Sequence, residues 1–210
     1  MSRSVAVTGM GIFSAIGKDL EENHSSLIHG KHGLSTPEIL ETIHQKLPIG
    51  EIKATNIDLA KSLNLDENHA FTRAALLGTI ALKEALENAK IKDFTNIGFV
   101  NGTSVGGMDM TERFYREYEN DATNRRFIQA QHPGFTTEQI AGYFGINNYV
   151  TTISTACSSA ANAIMMGARL IKSGRLDRVI VGGTDCLSRF TLNGFNSLMI
   201  YSEDLINIGA

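Results

Sequence analysis

The sequence predicts an α/β fold, with helices layered on both faces of a mostly parallel sheet (α/β/α) and a buried central helix that starts at a cysteine. Three observations support this prediction: short apolar runs alternate with segments of helical periodicity, most of these runs end in glycine, and an almost wholly apolar helix follows Cys157. Strands that alternate with helices are joined by right-handed crossovers, which place helices on both faces of a parallel sheet.

Composition and charge limit the classes of function. The 210 residues carry a formal net charge of -3 and no cluster of basic residues, which does not supply the positive field of a dedicated nucleic-acid binder. No segment approaches the ~20 apolar residues of a membrane-spanning helix, and the first residues do not form a secretory signal. We therefore expect a cytoplasmic protein with no nucleic-acid or membrane partner.

The first half of the chain predicts one strand, two helices and an irregular segment. Residues 5–8 are a short apolar run before a glycine turn, which predicts a buried strand. A polar helix is predicted near 18–28. The stretch 30–56 contains prolines and glycines with little periodicity and predicts an irregular surface excursion. Residues 69–89 place apolar side chains at helical spacing, which predicts an amphipathic helix.

The second half continues the alternation of strands and helices. A glycine-rich turn, 102–107, follows the first of its predicted strands. The predicted strands are 96–100, 150–153 and 178–181, and the predicted helices are 111–118, 136–144 and 157–172.

A partial dinucleotide-binding motif follows the first predicted strand. Gly9 and Gly11 match its first two glycines, but Ser14 replaces the third, and no second strand ends in an acidic residue about 20 positions later. The alternative is a tight turn that lets the first strand meet its helix. We favour the turn, and no cofactor is expected.

The helix after Cys157 points to nucleophilic chemistry. A helix that is apolar on all sides must be enclosed by other elements, and unpaired N–H groups at its start favour an anion. Cysteine there gains thiolate character, and the thiolate is the nucleophile. A lone cysteine is commonly a buried structural thiol. The sharp turn between a strand and a buried helix favours the nucleophile at Cys157.

Residues 155–160, Thr-Ala-Cys-Ser-Ser-Ala, resemble the active-site signature of the elongating β-ketoacyl-[acyl carrier protein] synthases of the thiolase-like superfamily. Further resemblances follow in the expected order along the chain, at 7–11, 102–107, 174–185 and 194–195. The ordered set covers nearly the whole chain. It implies the N-terminal half of a thiolase-like synthase.

This resemblance implies an acyltransferase whose cysteine, Cys157, accepts an acyl group from a thioester. The acyl-cysteine then condenses with a malonyl group, whose decarboxylation gives the carbanion, in fatty-acid or polyketide-type synthesis. Part of the oxyanion hole would be the Cys157 N–H. By resemblance, Phe127 lines the acyl pocket at a dimer interface and Phe195 is an aromatic gate beside the cysteine; both are equally well explained as core aromatics. Cys186 does not lie at the start of a predicted helix and is expected to be structural.

The resemblance also implies groups that the sequence does not contain. In the family, two histidines and a lysine come from the second half, in motifs absent here. We therefore expect 1–205 to be the N-terminal ketosynthase half, 206–210 to be a truncated or divergent end, and the C-terminal half to be absent. Such a chain is not expected to complete condensation alone. It would form a homodimer or pair with the missing half, and its central helix would otherwise expose an apolar face.

Two alternatives remain open at this point. One is a non-catalytic partner subunit that shapes the acyl pocket of an active synthase; the retained Cys157 argues against it, because such partners usually lack the cysteine. The other is a thiolase or a starter synthase that uses coenzyme A. The Ala-Cys-Ser-Ser context argues against this second alternative.

The implied partner is an acyl carrier protein with phosphopantetheine-linked acyl and malonyl groups. Docking of such an acidic partner needs a basic patch near the pocket entrance. Arg113, Arg116, Arg125 and Arg126 are candidates because they lie close in sequence to Phe127. We favour the alternative that they form a solvated helical face, because charged residues usually do.

Overall fold

A computed structural model describes residues 4–202 of the chain, so the predicted end at 206–210 lies outside the described residues. The helices are α1 Leu20–Ile28, α2 Asn56–Ser62, α3 Arg73–Asn88, α4 Met108–Phe114, α5 Arg125–Gln129, α6 Pro133–Phe144, α7 Ser159–Lys172 and α8 Arg189–Ser197, with a short 3-10 helix at Ala122–Asn124. The strands are β1 Leu34–Ser35, β2 Ile49–Gly50, β3 Ile97–Gly102, β4 Tyr149–Ile153 and β5 Arg178–Gly183.

The core of the fold is a three-stranded parallel sheet with β3 at its centre. The strand order is β4-β3-β5, with Gly98 opposite Tyr149 on one side and Val179 on the other. Parallel strands need crossover connections, and here α7 makes the crossover from β4 to β5. The carboxyl ends of the three strands therefore meet at one edge of the sheet.

Helices cover both faces of this sheet. Phe99 of β3 lies in a buried cluster with Ala75 of α3 and Ile140 of α6, whereas its neighbour Val100 lies in a second cluster with Ala163 of α7. Successive side chains of a strand point to opposite faces, so one strand serves both layers. This confirms the predicted α/β/α layering.

Most predicted elements are found, with shifted ends. The helix predicted at 69–89 begins at Arg73, because Thr72 caps it by accepting a hydrogen bond from Ala75 N at 3.2 Å. The strands predicted at 96–100, 150–153 and 178–181 are confirmed as β3, β4 and β5. The excursion is confirmed as largely irregular, apart from the antiparallel pair of β1 and β2.

The predicted strand at 5–8 is wrong. The segment has no strand structure, and Val7 is 80% exposed. Just after it, Met10 N donates to Asn88 Oδ1 at 3.1 Å and Ile12 N donates to Glu84 Oε2 at 2.8 Å, so the chain follows helix α3. An apolar run becomes a strand only where a sheet edge is free to pair with it, and no strand within residues 4–202 pairs with 5–8.

Helix α7 is buried on one side only. Ala163 and Leu170 lie against the sheet, whereas Ile164 and Met165 are 55% and 49% exposed. The predicted enclosure on all sides is therefore not found among residues 4–202, where one apolar face of α7 is exposed. None of the helices in this described range combines the length and apolar character needed to cross a bilayer.

Candidate active site

Cys157 lies in a sharp turn between β4 and α7, and its side chain is exposed. Ser158 N donates to Thr155 O at 3.3 Å and Ser159 N donates to Ala156 O at 3.0 Å, which closes the turn. Ala156 has a φ of 53°, in the left-handed region that residues with a Cβ rarely adopt. Strained backbone of this kind is typical of functional turns.

Side-chain hydrogen bonds hold both ends of this turn. Ser159 Oγ accepts from Thr155 N at 2.9 Å and donates to Ala156 O at 2.7 Å. Thr155 Oγ1 accepts from the side-chain amide of Asn162 at 2.8 Å, and Ser158 Oγ donates to Thr155 O at 2.7 Å. The hydroxyl residues on either side of the cysteine therefore fix the local backbone, which explains why the sequence is rich in Ser and Thr here.

The first turn of α7 lies directly against the ends of two strands. A Cβ at Gly102, the last residue of β3, would lie 2.5 Å from the carbonyl carbon of Ser159. A Cβ at Gly183, the last residue of β5, would lie 2.7 Å from Ala160 Cβ. Glycine allows this approach at both positions. We call the close approach of Gly102 and Gly183 to the first turn of α7 the glycine contact. It places the cysteine turn at the carboxyl edge of the sheet.

Cys186 has the opposite environment. It is buried, and its thiol lies 3.8 Å from Asp109 Oδ1. Burial raises the pKa of the Cys186 thiol well above its usual range, and the charge of Asp109 acts in the same direction. Asp109 is itself partly buried, which raises the pKa of its carboxyl, while its Oδ2 accepts from Arg73 N at 3.1 Å. A thiol that stays protonated is a poor nucleophile, in agreement with the expected structural role.

Phe127 and Phe195 lie on separate helices. Phe127 of α5 is buried and stacks on Phe114 of α4 with ring centroids 4.4 Å apart. Phe195 of α8 is 39% exposed and meets the ring of Tyr201 edge to face at 6.4 Å. Both helices pack against α4, but neither ring contact includes the cysteine turn. The predicted pocket and gate roles of these residues stay predictions.

The four arginines near Phe127 differ in their surroundings. Arg113, Arg116 and Arg125 are exposed. Arg126 lies with its guanidinium 4.7 Å from the centre of the Phe127 ring and donates to Asn68 O at 2.6 Å. Arg126 is thus used in packing. Arg113 also lies over a ring, 5.3 Å from the centre of Phe114, but it is exposed like Arg116 and Arg125.

All six histidines lie within the described range, and none has Cys157 among its hydrogen-bond partners there. Four make hydrogen bonds: His29 with Ser25 O, His44 with Asn193 Oδ1, His69 with Phe71 N and His132 with Gly134 N. The other two, His24 and His32, are exposed. In residues 4–202, no group of three or more His, Cys, Asp or Glu side chains is arranged to hold a metal.

A cleft of about 770 Å³ was missed by the sequence analysis. Its lining residues come from the stretch 39–57, from α3 and α4, and from the chain after β5; they include Arg73, Asp109, Asp185 and Cys186. Walls from such distant segments leave no local pattern in the sequence. The one local signal near the cleft is the pair of glycines, Gly182 and Gly183, that comes shortly before Asp185.

Comparison with known proteins gives one family. The family model described as "Beta-ketoacyl synthase, N-terminal domain" matches residues 2–208. The 3-oxoacyl-[acyl-carrier-protein] synthase 2 of Staphylococcus aureus (strain N315) is 25% identical over 205 residues, which are 93% of this chain and 49% of the relative. The chain therefore spans about half the length of the curated relatives it matches.

Solved structures agree with the predicted thiolase-like fold. The ishigamide ketosynthase/chain length factor matches with a TM-score of 0.85 at 20% identity, over 97% of this chain and 53% of that one. A chain of the complex between the ketosynthase ApeO and its chain length factor ApeC from Xenorhabdus doucetiae matches with a TM-score of 0.75 at 26% identity, over 93% of this chain and 50% of that one.

Proposed function

The chain belongs to the β-ketoacyl synthase family through its N-terminal domain, and from this membership we propose that it supplies the acyl-accepting half of a condensing enzyme. The observation that carries the proposal is the exposed Cys157 in its strained turn ahead of α7. Cys157 lies two residues before the first residue of α7, a 14-residue helix whose first N–H groups have no partner within the helix.

The first half-reaction is transfer of an acyl group to Cys157. The thiolate attacks the carbonyl carbon of an acyl thioester, and the Cys157 N–H stabilises the oxyanion that forms. The carbon–sulfur bond to the carrier then breaks, and the released phosphopantetheine thiolate takes a proton. The product is an acyl-cysteine thioester.

The second half-reaction joins this acyl group to a malonyl thioester. Loss of CO2 leaves a carbanion that attacks the acyl carbon, and the bond to Cys157 breaks to return the thiolate. Groups that stabilise the carbanion are needed here, and we propose that they come from a C-terminal half that is not part of 1–205. Pairing with that half, or with a second copy, completes the enzyme in this proposal.

The test is intact-mass analysis after incubation with an acyl thioester of an acyl carrier protein. One adduct is expected, on the peptide that contains Cys157. Cys157→Ala should abolish the adduct, and Cys186→Ala should keep it, because the Cys186 thiol is buried and protonated.

Other outcomes separate the alternatives. No adduct, or an adduct on Cys186, would contradict the proposal and favour a non-catalytic partner subunit. Acylation by a coenzyme A thioester in preference to the carrier thioester would favour a thiolase or starter synthase.

We further propose that the exposed Arg113, Arg116 and Arg125 face the acidic carrier protein. Arg116→Glu and Arg125→Glu should each weaken carrier binding roughly fivefold at low salt, because rim charges act mainly through screened long-range attraction. Lys92→Glu, on the loop after α3, is the matched control. Binding is measured by surface plasmon resonance. Equal weakening by Lys92→Glu, or unchanged binding in both arginine variants, would contradict the proposed contact with the carrier protein.

A further inference from the structure

The segment 184–186, which follows β5, is fixed at each of its three residues. Thr184 Oγ1 donates to Ala74 O in the first turn of α3 at 2.9 Å. Cys186 is held from α4 through its contact with Asp109. Between them lies Asp185, whose carboxylate is exposed and faces the large cleft. Asp185 therefore stands on a backbone that is held from both sides.

The carboxylate of Asp185 accepts three hydrogen bonds from the glycine-rich loop after β3. Its Oδ1 accepts from Ser104 N at 2.7 Å and from Thr103 Oγ1 at 3.0 Å. Its Oδ2 accepts from Ser104 Oγ at 3.0 Å. Hydrogen bonds to an ionised acceptor are stronger than neutral ones. The hydrogen bonds of Asp185 with Ser104 and Thr103 join residues that are separated by 81 and 82 positions in the sequence.

The loop that Asp185 holds adjoins the cysteine turn. Thr103 N donates to Ile153 O, the last residue of β4, at 3.1 Å, and Thr103 is fully buried. Thr184 N donates to Gly102 O at 3.0 Å. Gly102 and Gly183 form the glycine contact against the first turn of α7. The ends of β3, β4 and β5 are thus tied together beneath the turn that presents the sulfur.

We infer that Asp185 is a positioning residue for Cys157: it locks the glycine-rich loop to the end of β5 and so fixes the surface on which the cysteine turn lies. The inference rests on the proposed acylation of Cys157. Asp185 acts through Ser104, Thr103 and the glycine contact rather than by touching the acyl group.

The physical reason lies in the composition of the loop. Residues 102–107 include three glycines, which have more conformational freedom than other residues and lose more entropy when fixed. Without the carboxylate, Ser104 N and the hydroxyls of Thr103 and Ser104 would lose their acceptor, and the loop would sample more backbone conformations. Acyl transfer depends on the alignment of sulfur, carbonyl carbon and oxyanion donor, so a small displacement lowers the rate strongly.

The experiment compares Asp185→Ala and Asp185→Asn with the unaltered protein, purified with its natural partners. Asparagine keeps an oxygen that can accept from Ser104 N, so it tests rescue by a conservative change. Glu119→Ala removes an exposed carboxylate from the turn after α4 and is the matched control. Three quantities are measured for each: the acylation rate of Cys157 by an acyl-carrier thioester, its alkylation rate by iodoacetamide, and amide hydrogen exchange over 102–107 and 155–161.

Alanine is expected to lower the acylation rate about tenfold and to leave the alkylation rate within about twofold, because alkylation by a small reagent requires exposure but little alignment. Exchange over both peptides should become faster by about tenfold, as expected when a loop loses anchoring hydrogen bonds. Asparagine should restore most of the acylation rate, and Glu119→Ala should change none of the three quantities.

Two results would overturn the inference. One is an alanine variant with unaltered acylation and exchange; the other is an equal fall in acylation and alkylation, which would indicate a general loss of structure. If the unaltered protein is not acylated at Cys157, the proposed function fails instead, and hydrogen exchange over 155–161 alone decides whether Asp185 fixes the turn.

Discussion

At the scale of single residues, Glu51 is a buried carboxylate that organises the loop before it. It accepts from the backbone N–H groups of Glu38, Ile39 and Leu40 at 2.9, 3.0 and 2.7 Å, and from Lys53 Nζ at 3.0 Å. Burial alone would raise the pKa of this carboxyl, but these four donors outweigh it and lower the pKa to about 2. The folded state therefore favours the charged form.

A pH-dependent contribution to stability follows. Because the pKa of Glu51 in the folded state lies below its ordinary value, its contribution is present above pH ~4.5 and is lost as the pH falls toward about 2. Glu51→Gln should lower the free energy of unfolding by about 2–3 kcal/mol at pH 7. The difference from the unaltered chain, measured by urea denaturation, should shrink between pH 5 and pH 3.

Glu41→Gln is the control, because Glu41 is exposed and lies in the same excursion. It should change the unfolding free energy by less than about 0.5 kcal/mol at either pH. A constant difference between the Glu51 variant and the unaltered chain from pH 7 to pH 3 would contradict the pKa argument.

Single residues differ in how far the sequence can predict them. The sequence predicted different surroundings for Cys157 and Cys186, since a strand, a turn and a helix are local features, and the structure exposes the first and buries the second. The acyl-accepting role of Cys157 stays a prediction. The hydrogen bonds of Asp185 were not predicted, because its partners are more than 80 residues away in sequence. Glu51 was missed because its backbone partners, 11 to 13 residues earlier in the chain, form no recognisable pattern with it in the sequence.

At the scale of elements, periodicity predicted the long helices and the paired strands but not every boundary. The 5–8 run failed because strand formation depends on a free sheet edge, which local composition does not report. Helix α2 was missed although Thr55 and Asp58 form a capping box, with Thr55 Oγ1 accepting from Asp58 N at 3.2 Å. That signal is local, and reading it would have found the helix.

Two helical glycines give a test of helix packing. A Cβ at Gly167 of α7 would clash with Val181 Cγ1 of β5, whereas a Cβ at Gly142 of α6 would meet nothing within 4 Å. Gly167→Ala should therefore lower the free energy of unfolding by about 1–2 kcal/mol, since overpacking exceeds the gain in helix propensity. Gly142→Ala should raise it by about 0.5–1 kcal/mol.

Each glycine variant is the control for the other, because both make the same change inside a helix. Urea denaturation with a constant slope would assign the shifts to stability. Equal shifts in the same direction would mean that α7 does not approach β5 as closely as described.

At the scale of the whole molecule, the α/β/α layering could be predicted because it follows from the alternation of strands and helices. The one-sided burial of α7 was predicted only for the case that no partner covers the helix, because the sequence of a helix does not show which neighbours will cover it. Ile164 and Met165 have the composition of a core but the exposure of a surface. This face of α7 therefore has the properties of a contact surface.

The exposed face of α7 predicts how the chain behaves without such a partner. Exposed contiguous apolar surface drives association, so the mass of the chain measured by light scattering should rise above that of a monomer with increasing concentration. Replacing Ile164 and Met165 together by lysine should shift the association to at least about tenfold higher concentration, because each charge must be desolvated in the contact. Ile43→Lys, a change at an isolated isoleucine that is 85% exposed, is the control and should leave association unaltered. Equal effects of the two changes would mean that added charge, rather than the face of α7, controls association, and a monomer at all concentrations would show that this face needs no partner.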